Sequence, residues 1–216
     1  TFSFSCRTPN YGPNVVWGDM PGEGDFDGGL NGWTIENEDA EGDGWEYVQQ
    51  GFSIFNSSIG SATECNGYVH IDSWNNRFDG GTGDCEPCNG GIVSPVIDLT
   101  GHNIDGLYVE FDQMFIQFFQ LVYVLASNDG GVTYKDTFEV NQTTAVNSFE
   151  PLRTLRVPLP GYENEDNIRL KFYKNEFNNF GGFYYWGIDD VRLINEASLD
   201  MQLNTNFFAV NPSYRT

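Results

Sequence analysis

The sequence predicts an all-β protein built as a sandwich of two antiparallel sheets. Almost no segment shows the 3.6-residue hydrophobic period of a helix, whereas short runs of alternating apolar and polar residues recur along the chain. Clusters of Gly, Asn and Asp separate these runs, as turns separate strands. With 216 residues, of which 39% are hydrophobic and 16% aromatic, the chain can bury a large core, which excludes wholesale disorder.

The first half of the chain predicts short strands followed by longer ones. Short strands are expected near Trp33, Trp45, Tyr68 and Ile92. Leu107, Val109 and Phe111 then alternate with polar residues, which predicts a half-buried strand. The run from Phe115 to Ala126 is apolar on both faces and predicts one central strand of the sandwich.

The second half predicts a hairpin and two further strands. The Gly-rich stretch 127–131 is expected to turn the chain into a strand at Val132-Thr133-Tyr134. The stretch also resembles the Asp-box turn of sialidase propellers, but one copy cannot make a propeller, and a hairpin turn is favoured. Ile168, Leu170 and Phe172 alternate with polar residues, and a final strand is expected from Phe183 to Ile194. The total reaches the eight or more strands of a double-sheet antiparallel jelly roll with long loops.

We divide the chain into a jelly-roll domain over 24–195 and two flanking segments. Residues 1–23 are expected to pack on or pair with a sheet, and residues 196–216 to form a linker or an added strand. In the latter, Leu199, Met201 and Leu203 alternate with polar residues. Such a segment packs on its own domain, enters a following domain, or adds to the sheet of a neighbouring copy, giving head-to-tail assembly.

The charge balance restricts the partners. There are 31 acidic and 10 basic residues, a net charge of −21, so nucleic acid is not an expected partner because phosphate backbones require clustered Lys and Arg. No apolar run approaches the ~18 residues needed to span a bilayer. The chain begins at Thr1 without a basic and apolar leader, which fits a mature secreted form or simply a fragment boundary.

The four cysteines form an even set and are expected to pair as disulfides in a secreted protein. Three pairings of Cys6, Cys65, Cys85 and Cys88 exist, and the sequence does not choose among them. A structural zinc site made by the four thiols is the less favoured alternative. The bridges are expected to tie the Gly-, Ser- and Asn-rich loops 51–66 and 73–91.

Two acidic motifs lie near opposite ends of the predicted domain. Asp25 and Asp27 stand among glycines in the stretch 24–33, and Asp189 and Asp190 stand in the stretch 183–193. If the two strands lie side by side, the four carboxylates converge on one hard cation, for which Ca²⁺ is the natural choice. In the competing interpretation, Asp25 stabilises a turn and the other pair caps a strand end.

These two motifs resemble the opening and closing strands of cleaved-adhesin and MAM-like jelly rolls. The resemblance covers roughly 24–195, and its most specific part is Trp186-Gly187-Ile188-Asp189-Asp190-Val191. Such modules occur in secreted bacterial surface proteins, including the adhesin regions attached to gingipain proteases. The resemblance implies a non-catalytic extracellular module in which Asp27 and Asp190 share a structural cation, with Asp25 and Asp189 as neighbours.

Exposed aromatic residues suggest a second function. Trp74, Arg77, Phe177 and Phe180 fall in predicted loops, where rings flanked by polar groups stack on sugars. A carbohydrate-binding accessory module of a larger secreted enzyme is therefore the alternative to a surface adhesin or a filament subunit. The partners would be other copies of the chain, other cell-surface proteins, or glycans.

Catalysis finds little support. The two histidines, His70 and His102, stand in ordinary strand and turn contexts, and no motif selects a pair of carboxylates for glycoside hydrolysis. Asn56 and Asn141 match the N-glycosylation pattern and fall in predicted loops, although such matches are often accidental in a bacterial protein.

Overall fold

A computed structural model gives the fold of residues 11–38, 44–49, 59–73, 89–176 and 185–196. These ranges contain eleven β-strands and no helix long and apolar enough to cross a membrane. The strands are β1 Val15–Trp17, β2 Thr34–Asn37, β3 Trp45–Val48, β4 Tyr68–Asp72, β5 Gly90–Val93, β6 Leu107–Ile116, β7 Gln120–Ser127, β8 Asp136–Val140, β9 Phe149–Pro158, β10 Arg169–Glu176 and β11 Tyr185–Asn195.

The strands form two antiparallel sheets. One is six-stranded, in the order β3-β4-β11-β6-β9 with β1 also paired to β11, and the other is five-stranded, in the order β2-β5-β10-β7-β8. From β4 to β11 the chain crosses between the sheets so that β4-β11-β6-β9 faces β5-β10-β7-β8, which is the strand order of a jelly roll. The predicted all-β, two-sheet antiparallel sandwich is confirmed.

The closing strand β11 organises the six-stranded sheet. Its first half pairs with β4 on one side, its second half pairs with β1 on the same side, and β6 lies along its other side. Residues 15–17 are thus part of the sheet, within the segment that we expected to pack on it.

The main core lies between the two sheets and is rich in aromatic residues. Trp45 packs edge-on against Trp186 with ring centroids 5.3 Å apart, and Phe111 packs edge-on against Phe172 at 4.9 Å. A second cluster covers one end of the outer face of the six-stranded sheet, and it consists of Ile59, Tyr68, Met114, Ile116 and Tyr185. Part of this sheet is therefore buried on both faces.

The single strand predicted from Phe115 to Ala126 is wrong. The chain turns between Ile116 and Gln120, and the two halves lie in different sheets. The Gln120 amide fixes the turn, since it donates to the carbonyl of Ile116 and accepts from the backbone N–H of Phe118, both at 2.6 Å. An apolar run broken by two glutamines is therefore a connection between the two sheets, in which the glutamine amides replace backbone partners at the turn.

The strand predicted at Val132-Thr133-Tyr134 is also wrong, although β7 and β8 form the expected hairpin. β8 begins only at Asp136, because the side chain of Asp129 holds residues 127–133 in a closed turn. The Asp129 carboxylate accepts hydrogen bonds from the hydroxyl of Ser127 at 2.6 Å and from the N–H and hydroxyl of Thr133 at 2.9 and 2.6 Å.

Candidate metal centre

A bulge in β11 creates the candidate site. The pairing of β11 with β6 shifts register between Asp189 and Arg192, and Asp190 adopts a left-handed φ of 52°. The extra residue frees the backbone N–H of Val191, which donates to the carbonyl of Gly24 at 2.9 Å. Bulges re-aim side chains in this way, and here the bulge also docks the opening loop against the closing strand.

Gly24 is required for this docking. A Cβ atom at position 24 would lie 1.7 Å from the carbonyl oxygen of Val191, far inside any real contact. Gly18 approaches the same oxygen, and its Cβ would lie 2.4 Å away. The loop that carries Asp25 can therefore reach the closing strand only because these positions lack side chains.

Asp189 and Asp190 form a buried pair of carboxyl groups, 0% and 2% exposed. The hydroxyl oxygen of Thr63 lies 3.0 Å from Asp189 Oδ2 and 2.7 Å from Asp190 Oδ1. Ser61 donates a hydrogen bond to the same oxygen of Asp189, and Tyr11 donates one to the same oxygen of Asp190. Because a threonine hydroxyl has one proton, Thr63 cannot donate to both carboxylates.

The electrostatics of the pair are unfavourable to two free negative charges. Burial raises the pKa of Asp189 well above its usual range, and the neighbouring Asp190 raises it further. Burial also raises the pKa of Asp190, although hydrogen bonds from Tyr11 and Thr63 oppose this. Buried carboxylates of this kind require either a proton or a cation.

The two other predicted ligands lie in the opening loop. The carboxylate of Asp25 accepts from the N–H groups of Gly22 at 2.6 Å and of Asp27 at 3.2 Å, so Asp25 closes its own turn as the competing interpretation expected. Asp27 is exposed. Asp25 follows Gly24, whose carbonyl accepts from the N–H of Val191, the residue after Asp190, so the opening loop carries Asp25 close to the closing strand.

The donor set determines which metal the site would suit. Within the ranges given above, no three or more His, Cys, Asp or Glu side chains are grouped as metal ligands. The oxygens that do meet are those of two carboxylates and three hydroxyls, which fit a hard cation and not zinc. The calcium site stays a prediction, as does the convergence of all four aspartates.

Sequence reasoning missed the hydroxyl residues of this site. Ser61 and Thr63 lie more than one hundred residues before Asp189, in a loop whose composition predicts only irregular structure. Tyr11 lies in the segment before β1. No local pattern marks these residues, because their role depends on the register with which the chain returns to the sheet.

The two histidines lie in different surroundings. His70 is buried, and its two ring nitrogens contact the carboxylate of Glu46 at 2.7 Å and the hydroxyl of Tyr185 at 3.2 Å. The hydrogen bond from His70 lowers the pKa of Glu46. His102 is exposed in the turn after Leu99. His70 is therefore held between two polar side chains of the six-stranded sheet.

Several predicted residues lie outside the described ranges. Cys65 is disulfide-bonded, but the other three cysteines, Cys6, Cys85 and Cys88, fall outside, so the pairing of the four stays a prediction. The same holds for the sugar-binding and glycosylation candidates Trp74, Arg77, Phe177, Phe180 and Asn56.

Asn141, the other glycosylation candidate, lies just after β8. Its amide exchanges hydrogen bonds of 2.7 and 3.0 Å with the amide of Gln113, which also accepts from the indole of Trp186 at 2.9 Å. The amide nitrogen to which a glycan would be attached therefore already donates within the fold. Glycosylation there stays a prediction.

Known structures share this fold. The K1 cleaved adhesin domain of Lys-gingipain from Porphyromonas gingivalis W83 is 19% identical, with 81% of this chain and 96% of that domain covered and a TM-score of 0.51. The K3 domain of the same protein is 18% identical over 79% of this chain and 95% of that domain, also with a TM-score of 0.51. The carbohydrate-binding module TmCBM61, in complex with β-1,4-galactotriose, is 14% identical over 86% of this chain and 100% of that module, with a TM-score of 0.48.

No protein-family model and no curated protein sequence matches the chain. The likeness to the two adhesin domains confirms the fold that the motifs of the opening and closing strands led us to expect. At these identities it shows the fold alone.

Proposed function

We propose that this chain is a secreted, non-catalytic jelly-roll module with an adhesive or structural role at a cell surface, and that a cation stabilises it. The observation that carries the proposal is the buried pair Asp189 and Asp190, which the bulge of the closing strand places against the opening loop. The fold shared with two cleaved adhesin domains supports the extracellular role. The engagement of both nitrogens of His70 by structural partners supports the absence of catalysis.

The proposed cation is Ca²⁺, held by the carboxylates of Asp189 and Asp190 and by the hydroxyls of Ser61 and Thr63. When bound, it supplies positive charge that allows both carboxylates to ionise in a buried place. This resolves the conflict at Thr63, whose single proton cannot serve two carboxylates. The loop that carries Ser61 and Thr63 is then tied to the closing strand through the site, while the opening loop is held by the hydrogen bond from Val191 to Gly24.

Thermal unfolding tests this proposal. A ligand that binds only the native state stabilises it by about 2.7 kcal/mol at one hundred times its Kd, so calcium should raise the Tm and a chelator should lower it. Asp190→Ala should abolish the calcium response. Asp27→Ala tests the predicted convergence of the four aspartates, and it should reduce the response if Asp27 is a ligand as the sequence predicts. Asp129→Ala is the control, because this aspartate lies in the β7–β8 turn, and the variant should keep the full response. Equal melting curves of the native protein in calcium and in chelator would contradict the proposal.

The adhesive role needs a separate test. Beads coated with the folded protein are expected to attach to host or bacterial cells more than beads coated with the heat-unfolded protein. Antibody labelling of intact cells of the source organism is expected to detect the module at the surface. Attachment that is equal for folded and unfolded coats would remove the support for adhesion and leave a structural role.

Self-association is a further part of the proposal. After β11 the backbone N–H of Glu196 donates to Gly106 at 2.8 Å, and its carboxylate accepts from Arg156 of β9 at 2.6 Å, so the side chain of Glu196 reaches β9. The described strands pair with only one edge of β9. We propose that the amphipathic segment after residue 198 adds to an open sheet edge of this kind in a neighbouring copy. Deletion of residues 198–216 should leave a folded monomer without assemblies by sizing and electron microscopy; unchanged assemblies would refute it.

Glycan binding is the second candidate function. The observation that favours it is a pair of half-buried tyrosines, Tyr123 and Tyr173, on the outer face of the five-stranded sheet, where their rings lie 6.5 Å apart with planes inclined by 28°.

A further inference from the structure

We propose that the outer face of the five-stranded sheet binds a neutral oligosaccharide across a row of five residues. This inference rests on the second candidate function and gives it a location that differs from the loop residues expected from the sequence. The row is defined by the cross-strand register and consists of Glu36, Gly91, Tyr173, Tyr123 and Glu139, one residue from each strand. We call it the tyrosine row.

The tyrosine row faces away from the core because its neighbours face into it. Ile92, Phe172 and Val124 precede or follow row residues in β5, β10 and β7, and all three are fully buried. Since successive side chains in a strand point to opposite faces, the row points outward. Five strands at about 4.8 Å spacing make the row roughly 19 Å long, which suits a short oligosaccharide.

Two aromatic rings lie at the centre of the row, and carboxylates lie at its ends. The CH face of a sugar ring packs on an aromatic ring, while the sugar hydroxyls donate to carboxylates and accept from phenols. Burial and Glu38 raise the pKa of Tyr173 to about 12, and burial and Glu139 raise the pKa of Tyr123. Both phenols therefore keep their protons at physiological pH. The proton of Tyr173 is used in its hydrogen bond to Glu38, so Tyr123 is the phenol that can donate to a sugar hydroxyl.

The side chains beside Tyr173 hold it in place. Its hydroxyl donates to Glu38 at 2.9 Å, and the ammonium group of Lys171 lies 5.1 Å from the centre of its ring. Lys171 reaches Glu36, with a distance of 2.8 Å between Nζ and Oε2, by passing over Gly91, where a Cβ would lie 2.3 Å from its side chain. Tyr173 is thereby preorganised. Tyr123 lies beside it and pairs in register with Glu139, and among the described contacts no cation lies over its ring.

Charge and hydrophobicity decide the class of ligand. Glu36, Glu38 and Glu139 surround the rings, and the one nearby lysine is paired with Glu36, so an acidic polysaccharide or a nucleic acid is repelled. A protein partner would require apolar side chains at the centre of the interface. The large hydrophobic side chains that are most exposed, such as Phe119, Phe149 and Val132, come from other parts of the described structure. A neutral glycan fits both observations.

Affinity gel electrophoresis of the folded protein tests the proposal. The gels contain neutral soluble polysaccharides (β-glucan, mannan, galactan or xylan) or, in a parallel set, polygalacturonate. At least one neutral polysaccharide should retard the native protein, and polygalacturonate should not. Tyr123→Ala and Tyr173→Ala should weaken the retardation about tenfold or more, since each removes an aromatic contact. Tyr123→Phe should retain most of it, because the ring is kept.

Phe149→Ala is the matched control, since this phenylalanine is 51% exposed but lies on β9 of the other sheet. It should bind like the native protein. Absence of retardation by every neutral polysaccharide, undiminished binding of Tyr123→Ala, or equal retardation by polygalacturonate would each overturn the inference. The calcium response of the Tm, measured on the same variants, shows separately whether the cation-stabilised module is intact.

Discussion

The outer faces of the two sheets differ in what covers them. In the six-stranded sheet, the first ten residues of β11 are buried on both faces, whereas in the five-stranded sheet β10 alternates strictly between half-buried and buried residues. Loops and the segment before β1 lie on the outer face of the first sheet. The outer face of the second carries the tyrosine row.

This difference in coverage determines how much the polar residues of each outer face contribute to stability. On the covered face, Glu110 is 7% exposed and lies between Arg192, which donates to it at 2.7 Å, and Arg156. On the open face, the pair of Lys171 and Glu36 lies at the surface, with half of the Glu36 side chain exposed. Buried polar groups need partners to offset desolvation, whereas exposed pairs contribute little. The covered face is thus specialised for stability, and the open face is free to bind a ligand.

The largest expected effect comes from breaking the contact that docks the opening loop on the first sheet. Gly24→Ala should destabilise the protein by roughly 3 kcal/mol or more, because the new Cβ meets the carbonyl of Val191 and the opening loop cannot dock. Urea unfolding followed by tryptophan fluorescence measures the loss. Gly101→Ala is the control: Gly101 has a φ of 81° and open space around it, so only backbone strain of roughly 1 kcal/mol is expected. Equal losses in the two variants would show that docking of the opening loop does not require the close approach of Gly24 to Val191.

The same substitution on each sheet sharpens the comparison. Glu110→Ala should cost roughly 3 kcal/mol because it leaves the buried guanidinium of Arg192 without its carboxylate partner. Glu36→Ala should cost less than about 0.5 kcal/mol, since it removes an exposed ion pair. Both are measured by urea unfolding. Similar costs would mean that burial of the outer face is not what distinguishes the two sheets.

The smallest expected effect lies in the turn between β7 and β8, at the edge of the open sheet. Hydrogen bonds from Ser127 and Thr133 lower the pKa of Asp129 far below its usual range. A lowered pKa in the folded state contributes stability above the ordinary aspartate pKa of about 3.9, and this contribution is lost as the pH falls below it. Asp129→Asn should therefore lower the Tm at pH 7, and the gap to the native protein should narrow towards pH 2.

The exposed Asp105, which lies outside this turn, provides the control for that experiment. Asp105→Asn should leave both the Tm at pH 7 and its change with pH close to those of the native protein. A gap between Asp129→Asn and the native protein that stays constant down to pH 2 would contradict the proposed role of the carboxylate.

The alternation of apolar and polar residues along single strands predicted much of this fold. It could not predict the contacts between segments that are distant in the sequence. Phe172 and Tyr173 are neighbours in an alternating run, so the sequence indicates that one faces the core and the other faces solvent. The sequence did not predict β9. This strand lies at the edge of the described sheet and carries Pro151 where its register with β6 shifts. Proline is tolerated only at edges and bulges, where its missing N–H leaves no gap in the ladder.

The candidate metal centre shows the same limit. The motif around Asp189 and Asp190 drew attention to the strand that carries the buried pair, because glycines and carboxylates at a strand edge are unusual enough to be noticed; the cation itself stays a prediction. The partners Ser61, Thr63 and Tyr11 could not be found, since nothing local distinguishes them from other loop hydroxyls. Likewise, Tyr123 and Tyr173 become neighbours only through the register of β7 and β10. The sequence of either strand alone does not determine that register.

The position of β11 also sets the order in which the molecule can be assembled. The last of the described strands lies between β4 and β6, which are joined through it and not to each other. Until residues 185–195 are available, the six-stranded sheet lacks its centre, and the opening loop has no bulge to dock on. Pairings of such long sequence separation form slowly. The nascent chain therefore stays open until its closing strand has been made, a state compatible with export as an unfolded polypeptide and completion of the fold after the chain has emerged.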